Sequence, residues 1–178
     1  MRLYRTPAFS LVIAFLMSAT ATQALAQDPC GGFKWDVSKE RALFRTQARP
    51  TPAGKDAAAA PVIESNRLYQ LQLLPEAQVA FSQPPGKKPP GDGSYAGLAA
   101  LKIPKSGGYR ISLDLPFWVD VVTGGKLVPA KDYEGQHDCN APHKIVEFDL
   151  DDHAPLLLQF SGVSQAAVRL TVTQVMVR

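Results

Sequence analysis

The chain has 178 residues, of which 46% are hydrophobic, and it carries 19 Lys and Arg against 16 Asp and Glu. This is the composition of a globular protein with room for one buried core. Its basic residues are scattered and not interleaved with aromatic ones, which excludes an electrostatic argument for nucleic-acid binding.

The first 26 residues have the three-part layout of a secretory signal peptide. Arg2 and Arg5 give a positive start, residues 8–17 are mostly apolar, and small residues at 24–26 precede Gln27. The apolar run is about half of the ~20 residues needed to cross a bilayer. We therefore predict cleavage before Gln27, no membrane span in the mature chain, and a periplasmic or secreted location.

Residues 27–66 are predicted to form a short N-terminal helix and an extended linker. The helix is predicted within 33–46, "FKWDVSKERALFRT", because Asp36 or Ser38 can cap its start and Glu40 lies in its first half. The following stretch is rich in Pro, Ala and Gly, which is typical of an irregular connection that runs over the surface of a domain.

Residues 67–178 are predicted to form a β-sandwich domain. In "YRISLDL" the apolar Tyr109, Ile111 and Leu113 alternate with polar residues, as in a half-buried strand. Strands without intervening helices favour antiparallel pairing. The sequence thus predicts an all-β, antiparallel, jelly-roll-like β-sandwich. Its strands are predicted at 68–74, 77–81, 95–103, 109–115, 117–122, 143–150, 155–162 and 167–177, with a Pro- and Gly-rich surface loop at 82–94.

Cys30 and Cys139 are the two cysteines of the chain. Two cysteines in an exported protein favour a disulfide, and this one would tie the N-terminal helix to the sandwich. Chain-entropy reasoning assigns such a large closed loop an upper limit of about 4.7 kcal/mol of stabilisation.

Three histidines suggest an alternative function. His137 and His143 flank Cys139, and His153 follows one predicted strand later. Imidazole and thiolate are ligands for copper and zinc, so a metal-dependent enzyme or metal carrier on these residues is the competing hypothesis. No "HExxH", paired "CxxC" or matching fourth ligand occurs, and a disulfide would consume the thiolate. The sequence therefore predicts no cofactor.

Trp118 and Asp120 occupy outward-facing positions of one predicted strand. An indole beside a carboxylate can bind a sugar by stacking and hydrogen bonding, so these residues, with Arg110, are candidates for ligand binding. Alternatively, Trp118 packs beneath the Pro-rich loop or against the helix that carries Trp35. No catalytic residue is identified, because motifs such as "GxSxG" and phosphate-binding loops are missing from the sequence, which favours a binding protein over an enzyme.

Residues 107–163 combine a "G-Y-R-hydrophobic" strand, a "W-hydrophobic-D-V" strand, a cysteine, a lysine-led strand and an "LQ-hydrophobic-SG" strand. The residues that carry this pattern are Tyr109, Arg110, Trp118, Asp120, Cys139, Lys144, Gln159 and Gly162. The stretch resembles a group of small exported bacterial proteins of uncharacterised function, and it is also similar to pre-peptidase C-terminal β-sandwich domains. These resemblances imply a β-sandwich and no catalytic residue.

Some proteins that look like this stretch carry the name homogentisate dioxygenase. That enzyme is a far larger cytoplasmic iron protein with a His, His, Glu site, and this chain does not reproduce the ligand spacing. The sequence predicts instead an exported binding or envelope accessory module, whose partner is an envelope protein, a glycan or a small polar ligand. A purely structural envelope protein is a further alternative.

Overall fold

A computed structural model of the chain describes residues 28, 30–87, 93–139 and 141–175. The predicted signal peptide at 1–26 lies outside the described residues, as does the tip of the Pro-rich loop. In the described residues, one short α-helix, α1 (Ser38–Phe44), precedes all of the strands. The strands are β1 (Arg49–Pro52), β2 (Val62–Glu64), β3 (Leu68–Gln72), β4 (Leu74–Pro75), β5 (Tyr95–Lys102), β6 (Gly107–Leu113), β7 (Trp118–Thr123), β8 (Lys126–Val128), β9 (Asp132–Gly135), β10 (Lys144–Leu150), β11 (Leu156–Val163) and β12 (Ala167–Gln174).

The strands form two sheets that pack face to face. The first sheet has the order β1-β3-β12-β6-β10-β9, and the second has the order β2-β5-β11-β7-β8, with β4 paired to β5. The strands β3-β12-β6-β10 and β5-β11-β7-β8 follow the order of an eight-stranded jelly roll. The predicted all-β, jelly-roll-like sandwich with a short N-terminal helix is therefore confirmed.

Two strands at sheet edges correct the expectation of purely antiparallel pairing. β1 pairs with β3 and β2 pairs with β5, both in parallel. Both strands come from the stretch predicted as an extended linker, which thus adds one strand to each sheet. Pro50 and Pro52 have no N–H to donate to a second neighbour, which is compatible with an edge position.

The prediction of a strand at 77–81 is wrong. Residues Glu76–Gln78 form a single 3-10 turn, and the chain then continues as coil. The Ala80 N–H donates to the Lys55 carbonyl, so this segment binds another surface segment and takes no place in either sheet.

The core lies between the sheets and is built by the alternation that the sequence shows. Tyr109, Ile111 and Leu113 on β6 are fully buried, as predicted. They pack against inward-facing residues of both sheets, among them Leu71, Leu101, Val119, Val121, Val146, Phe148, Leu158, Phe160, Leu170 and Val172. Burial of these side chains is the main stabilising term of the fold.

The helix α1 covers the outer face of the first sheet. The Asp36 carboxylate accepts a hydrogen bond from the Ser38 N–H at 2.9 Å, where the helix begins. Phe44 is buried, and the buried Glu40 carboxylate accepts a hydrogen bond from the Thr173 hydroxyl of β12. Glu40, expected to complement the helix dipole, thus also anchors α1 to the sheet.

A disulfide joins Cys30 to Cys139, as predicted, with a Cα–Cα distance of 5.0 Å. It connects the segment before α1 to the loop between β9 and β10. Lys34 adds a second link, because its Nζ lies 2.7 Å from the Asp132 carboxylate of β9. Within the described residues, no helix is both long and apolar enough to cross a membrane.

Candidate functional site

A cleft of about 630 Å³ opens between the two sheets at one side of the sandwich. Its two lips are the edge strands β8 of the second sheet and β9 of the first. Only residues 129–131 separate these strands in the chain, and Pro129 and Ala130 line the cleft. The cleft volume falls within the range of small-molecule sites, about 300–1,000 Å³.

The floor of the cleft is apolar, and two large hydrophobic side chains flank its mouth. Val119 of β7 and Val146 and Phe148 of β10 belong to the buried core and also line the cleft. Leu127 and Tyr133 flank the mouth with 39% and 71% of their surface exposed. Large apolar side chains exposed together at a cavity are typical of a contact surface for a ligand.

Trp118 and Asp120 lie on one wall of the cleft and are held in a fixed arrangement. The Trp118 Nε1–H donates to Asp120 Oδ1 at 2.9 Å, and the Gly86 N–H donates to Asp120 Oδ2 at 2.9 Å. A Cβ on Gly86 would lie 2.9 Å from Asp120 Oδ1 and 3.2 Å from Trp118 Nε1. A side chain at position 86 would therefore force the Asp120 carboxylate to shift, so the glycine allows the loop to approach the indole closely.

The loop that carries Gly86 is fastened to the outer face of the second sheet by Gln159. The N–H groups of Ser82 and Gln83 donate to Gln159 Oε1 at 2.7 and 3.1 Å, and Gln159 Nε2 donates to the Gln83 carbonyl at 3.0 Å. The Gln159 side chain is buried, so these bonds satisfy its amide. Trp118 therefore packs against the Pro-rich loop, which is one of the alternatives that the sequence left open. It also lines the cleft.

Lys144 begins β10 and extends into the mouth of the cleft. Its Nζ donates to the Phe117 carbonyl at 2.9 Å and lies 5.0 Å from the centroid of the Trp118 ring. Burial lowers the pKa of Lys144 below its ordinary value of 10.5, and the nearby Lys87 ammonium lowers it further. Asp120 opposes this shift only in part.

Arg110 is not brought together with Trp118 and Asp120. It lies on the outer face of the first sheet, where its Nε is 3.1 Å from the Glu147 carboxylate and its guanidinium carbon is 4.6 Å from the centroid of the Trp35 ring. The structure thus brings together two of the three residues predicted for ligand binding and places the third on the far side of the other sheet.

The three histidines predicted as alternative metal ligands lie in two separate places. His137 and His143 are neighbours, with ring centroids 6.1 Å apart, and His143 Nδ1 lies 3.1 Å from the Cys139 carbonyl oxygen. His153 follows β10, whereas His143 precedes it, so the length of a strand separates them. The Cys139 sulfur between the first two histidines is bonded to Cys30.

His153 belongs to an exposed turn with Asp151 and Asp152. The Ser106 hydroxyl lies within hydrogen-bond distance of both carboxylates and can donate its proton to either, and the His153 N–H donates to Asp151 at 3.0 Å. The backbone N–H of His153 lowers the pKa of Asp151, and the Ser106 hydroxyl lowers that of Asp152. These contacts account for the acidic residues as turn-forming groups.

Comparisons with protein-family models, with curated proteins and with solved structures found no match for this chain. The resemblance to small exported proteins and to pre-peptidase C-terminal domains therefore stays a prediction.

Sequence reasoning did not assign a role to four residues of the cleft: Leu127, Tyr133, Lys87 and Lys144. One signal for Lys144 was present in the sequence, because Lys144 alternates in step with the apolar Val146 and Phe148 along the predicted strand at 143–150. An inward-facing lysine at the start of a sandwich strand indicates either a charge that prevents unwanted strand pairing at a sheet edge or a residue of a binding site. The other three residues lie outside the strands that the sequence predicts.

Proposed function

We propose that this chain is an exported β-sandwich protein that binds a small molecule with an apolar body in the cleft between its two sheets. The observation that carries this proposal is the cleft itself, with its apolar floor, its exposed Leu127 and Tyr133, and polar groups on one wall. An apolar cavity with a few convergent polar groups is the usual form of a small-molecule site. The predicted signal peptide and the disulfide support a periplasmic or secreted location.

A binding protein accounts for the site better than a metal enzyme does. Within the described part of the chain, His153 is remote from the other two histidines, and the thiolate that would join them is used in the disulfide. The cleft residues provide one indole, one phenol, one phenyl ring, one carboxylate, two ammonium groups and aliphatic side chains, which suit the positioning of an organic ligand.

The experiment is a titration of the mature protein with N-phenylnaphthylamine, an uncharged apolar fluorophore. We expect saturable binding with a stoichiometry of one. Ala130→Phe should weaken binding, because Ala130 is an exposed residue of the cleft wall and a larger side chain would fill the mouth. Ala58→Phe is the matched control, since Ala58 is equally exposed and does not line the cleft.

The two tryptophans give an independent readout of the position of the ligand. In Trp35→Phe the remaining Trp118 fluorescence should change on binding, whereas in Trp118→Phe the remaining Trp35 fluorescence should not. Non-saturable binding of N-phenylnaphthylamine, or equal losses of affinity in Ala130→Phe and Ala58→Phe, would overturn the proposal.

A further inference from the structure

Two ammonium groups and one carboxylate line the cleft, which leaves one net positive charge on a site whose remaining surface is mostly apolar. The cations are Lys87 and Lys144, and the carboxylate is Asp120. Lys144 is the more deeply placed of the two, because it shares the inward face of β10 with Val146 and Phe148.

No carboxylate lies within ion-pair distance of the Lys144 ammonium in the described part of the chain. None of the ion pairs between described residues includes Lys144. The Asp120 oxygens are directed elsewhere, since one accepts from the Trp118 indole and the other from the Gly86 N–H. Among the described residues, the Lys144 ammonium contacts the neutral Phe117 carbonyl and the face of the Trp118 indole, and Asp120 attracts it from beyond ion-pair distance.

Such an arrangement is unfavourable in the free protein. A half-buried ammonium with one neutral acceptor and one aromatic ring recovers part of its lost hydration, and the attraction of Asp120 is opposed by the repulsion of Lys87, which is the larger of the two. An anion at the mouth would supply the missing counter-charge and a charge-assisted hydrogen bond. The apolar floor lies next to this position, so one molecule can contact both regions.

We propose that the ligand of this cleft is an amphiphile with a monoanionic head group, a carboxylate, which is bound by Lys144 and Lys87 while the apolar body lies over Val119, Val146 and Phe148. This inference rests on the proposed function and specifies its ligand class. The single net positive charge of the cleft matches a monoanion.

The test compares three probes of equal chain length: decanoate, decanol and decyltrimethylammonium. Binding is measured by isothermal titration calorimetry and by Trp118 fluorescence in the Trp35→Phe background. We expect decanoate to bind about tenfold more tightly than decanol, the size of one charge-assisted hydrogen bond, and the cation to bind most weakly. Lys144→Met should reduce the preference for decanoate over decanol to less than about twofold.

Three further variants separate charge from structure. Lys144→Arg should retain the preference for the anion, and Lys87→Met should reduce it without touching the Phe117 contact. Lys102→Met is the matched control, because Lys102 is exposed on β5 and does not line the cleft. Lys87→Met keeps the inference testable even if Lys144→Met fails to fold.

The outcomes distinguish the two proposals. Equal affinity for decanoate and decanol in the unmodified protein would overturn the anionic head group and leave the apolar cleft as a binding site. Preference for the cation would also overturn the head-group proposal. If N-phenylnaphthylamine, decanoate and decanol all fail to bind, the proposed function itself falls.

Discussion

Trp35 and Trp118 each lie beside cationic side chains, but the charges around them are balanced differently. Trp35 has Lys34 and Arg110 at 4.6 Å from its ring centroid, and both cations also form ion pairs, with Asp132 and Glu147. Trp118 has Lys144 at 5.0 Å, and that ammonium forms no ion pair with a described residue. The cations beside Trp35 are paired with carboxylates of the chain itself, whereas in our proposal the ligand supplies the anion for the cation beside Trp118.

The difference follows from the position of each tryptophan in the fold. Trp35 precedes α1, in the segment that the disulfide and Lys34 attach to the first sheet. Trp118 begins β7 and borders an open cleft between two edge strands. We therefore expect changes around Trp35 to alter stability and changes around Trp118 to alter binding.

Removal of the disulfide should give the largest effect. Cys30→Ser with Cys139→Ser should lower the free energy of unfolding by about 2–5 kcal/mol, because the crosslink closes a very long loop. Urea denaturation measures the change, and binding of N-phenylnaphthylamine to the folded double variant should persist, since neither cysteine lines the cleft. Loss of binding in a folded variant would contradict the separation of the two regions.

Arg110→Met should lower the free energy of unfolding by about 2–4 kcal/mol, because Lys131, at 3.8 Å, is then the one cation that pairs with the buried Glu147 carboxylate among the described residues. Thermal or urea unfolding measures this loss. Decanoate binding should not change, and a stability unaffected by the substitution would show that the Trp35 cluster is dispensable.

Lys144→Met should leave the free energy of unfolding unchanged or raise it, since an ammonium that is half-buried without an anion is replaced by an apolar side chain of similar length. Chemical denaturation of the two proteins side by side gives the sign. Marked destabilisation would indicate that the bond to the Phe117 carbonyl is mainly structural.

Replacement of the two exposed residues at the mouth should have a smaller effect, confined to binding. Leu127→Ala with Tyr133→Ala should weaken N-phenylnaphthylamine several-fold while stability stays within about 0.5 kcal/mol. Val62→Ala is the control, because Val62 is 64% exposed on β2 and lies outside the cleft. Equal losses in the two variants would argue against a contact surface at the mouth.

The pH dependence of stability should carry the smallest effect. The pKa of Lys144 is lowered in the folded chain, so between that value and 10.5 the unfolded chain binds more protons, and the free energy of unfolding rises with pH. The advantage of Lys144→Met should therefore shrink across this alkaline range. Denaturation at a series of pH values measures the difference, and a constant difference would contradict the assigned burial of the ammonium.

The fold could be predicted from the sequence where alternation was regular. The strands β6, β7, β10, β11 and β12 follow the apolar and polar pattern closely, and the cysteine count indicated the disulfide. The short strands β1, β2, β8 and β9 were not predicted, because three or four residues give too little periodicity and β1 contains two prolines.

The site could be predicted only in part for the same reason. Trp118 and Asp120 lie on a long strand and were recognised, but the opposite lip belongs to β8 and β9. Arg110 was grouped with them because it occupies an outward-facing position of its own strand. That alternation does not reveal that β6 and β7 belong to different sheets. Lys144 could be recognised in the sequence as the first residue of a strand. Its place in a cleft depends on the edge strands β8 and β9, which the sequence did not predict.

The three residues 129–131 connect the strands that form the two lips of the cleft. Because so short a connection joins the two sheets at this position, β8 and β9 have little freedom to move apart. We therefore expect a ligand to enter by rotation of the Leu127, Tyr133 and Lys144 side chains. Ligand association and dissociation should then be rapid and leave the backbone of the sandwich unchanged.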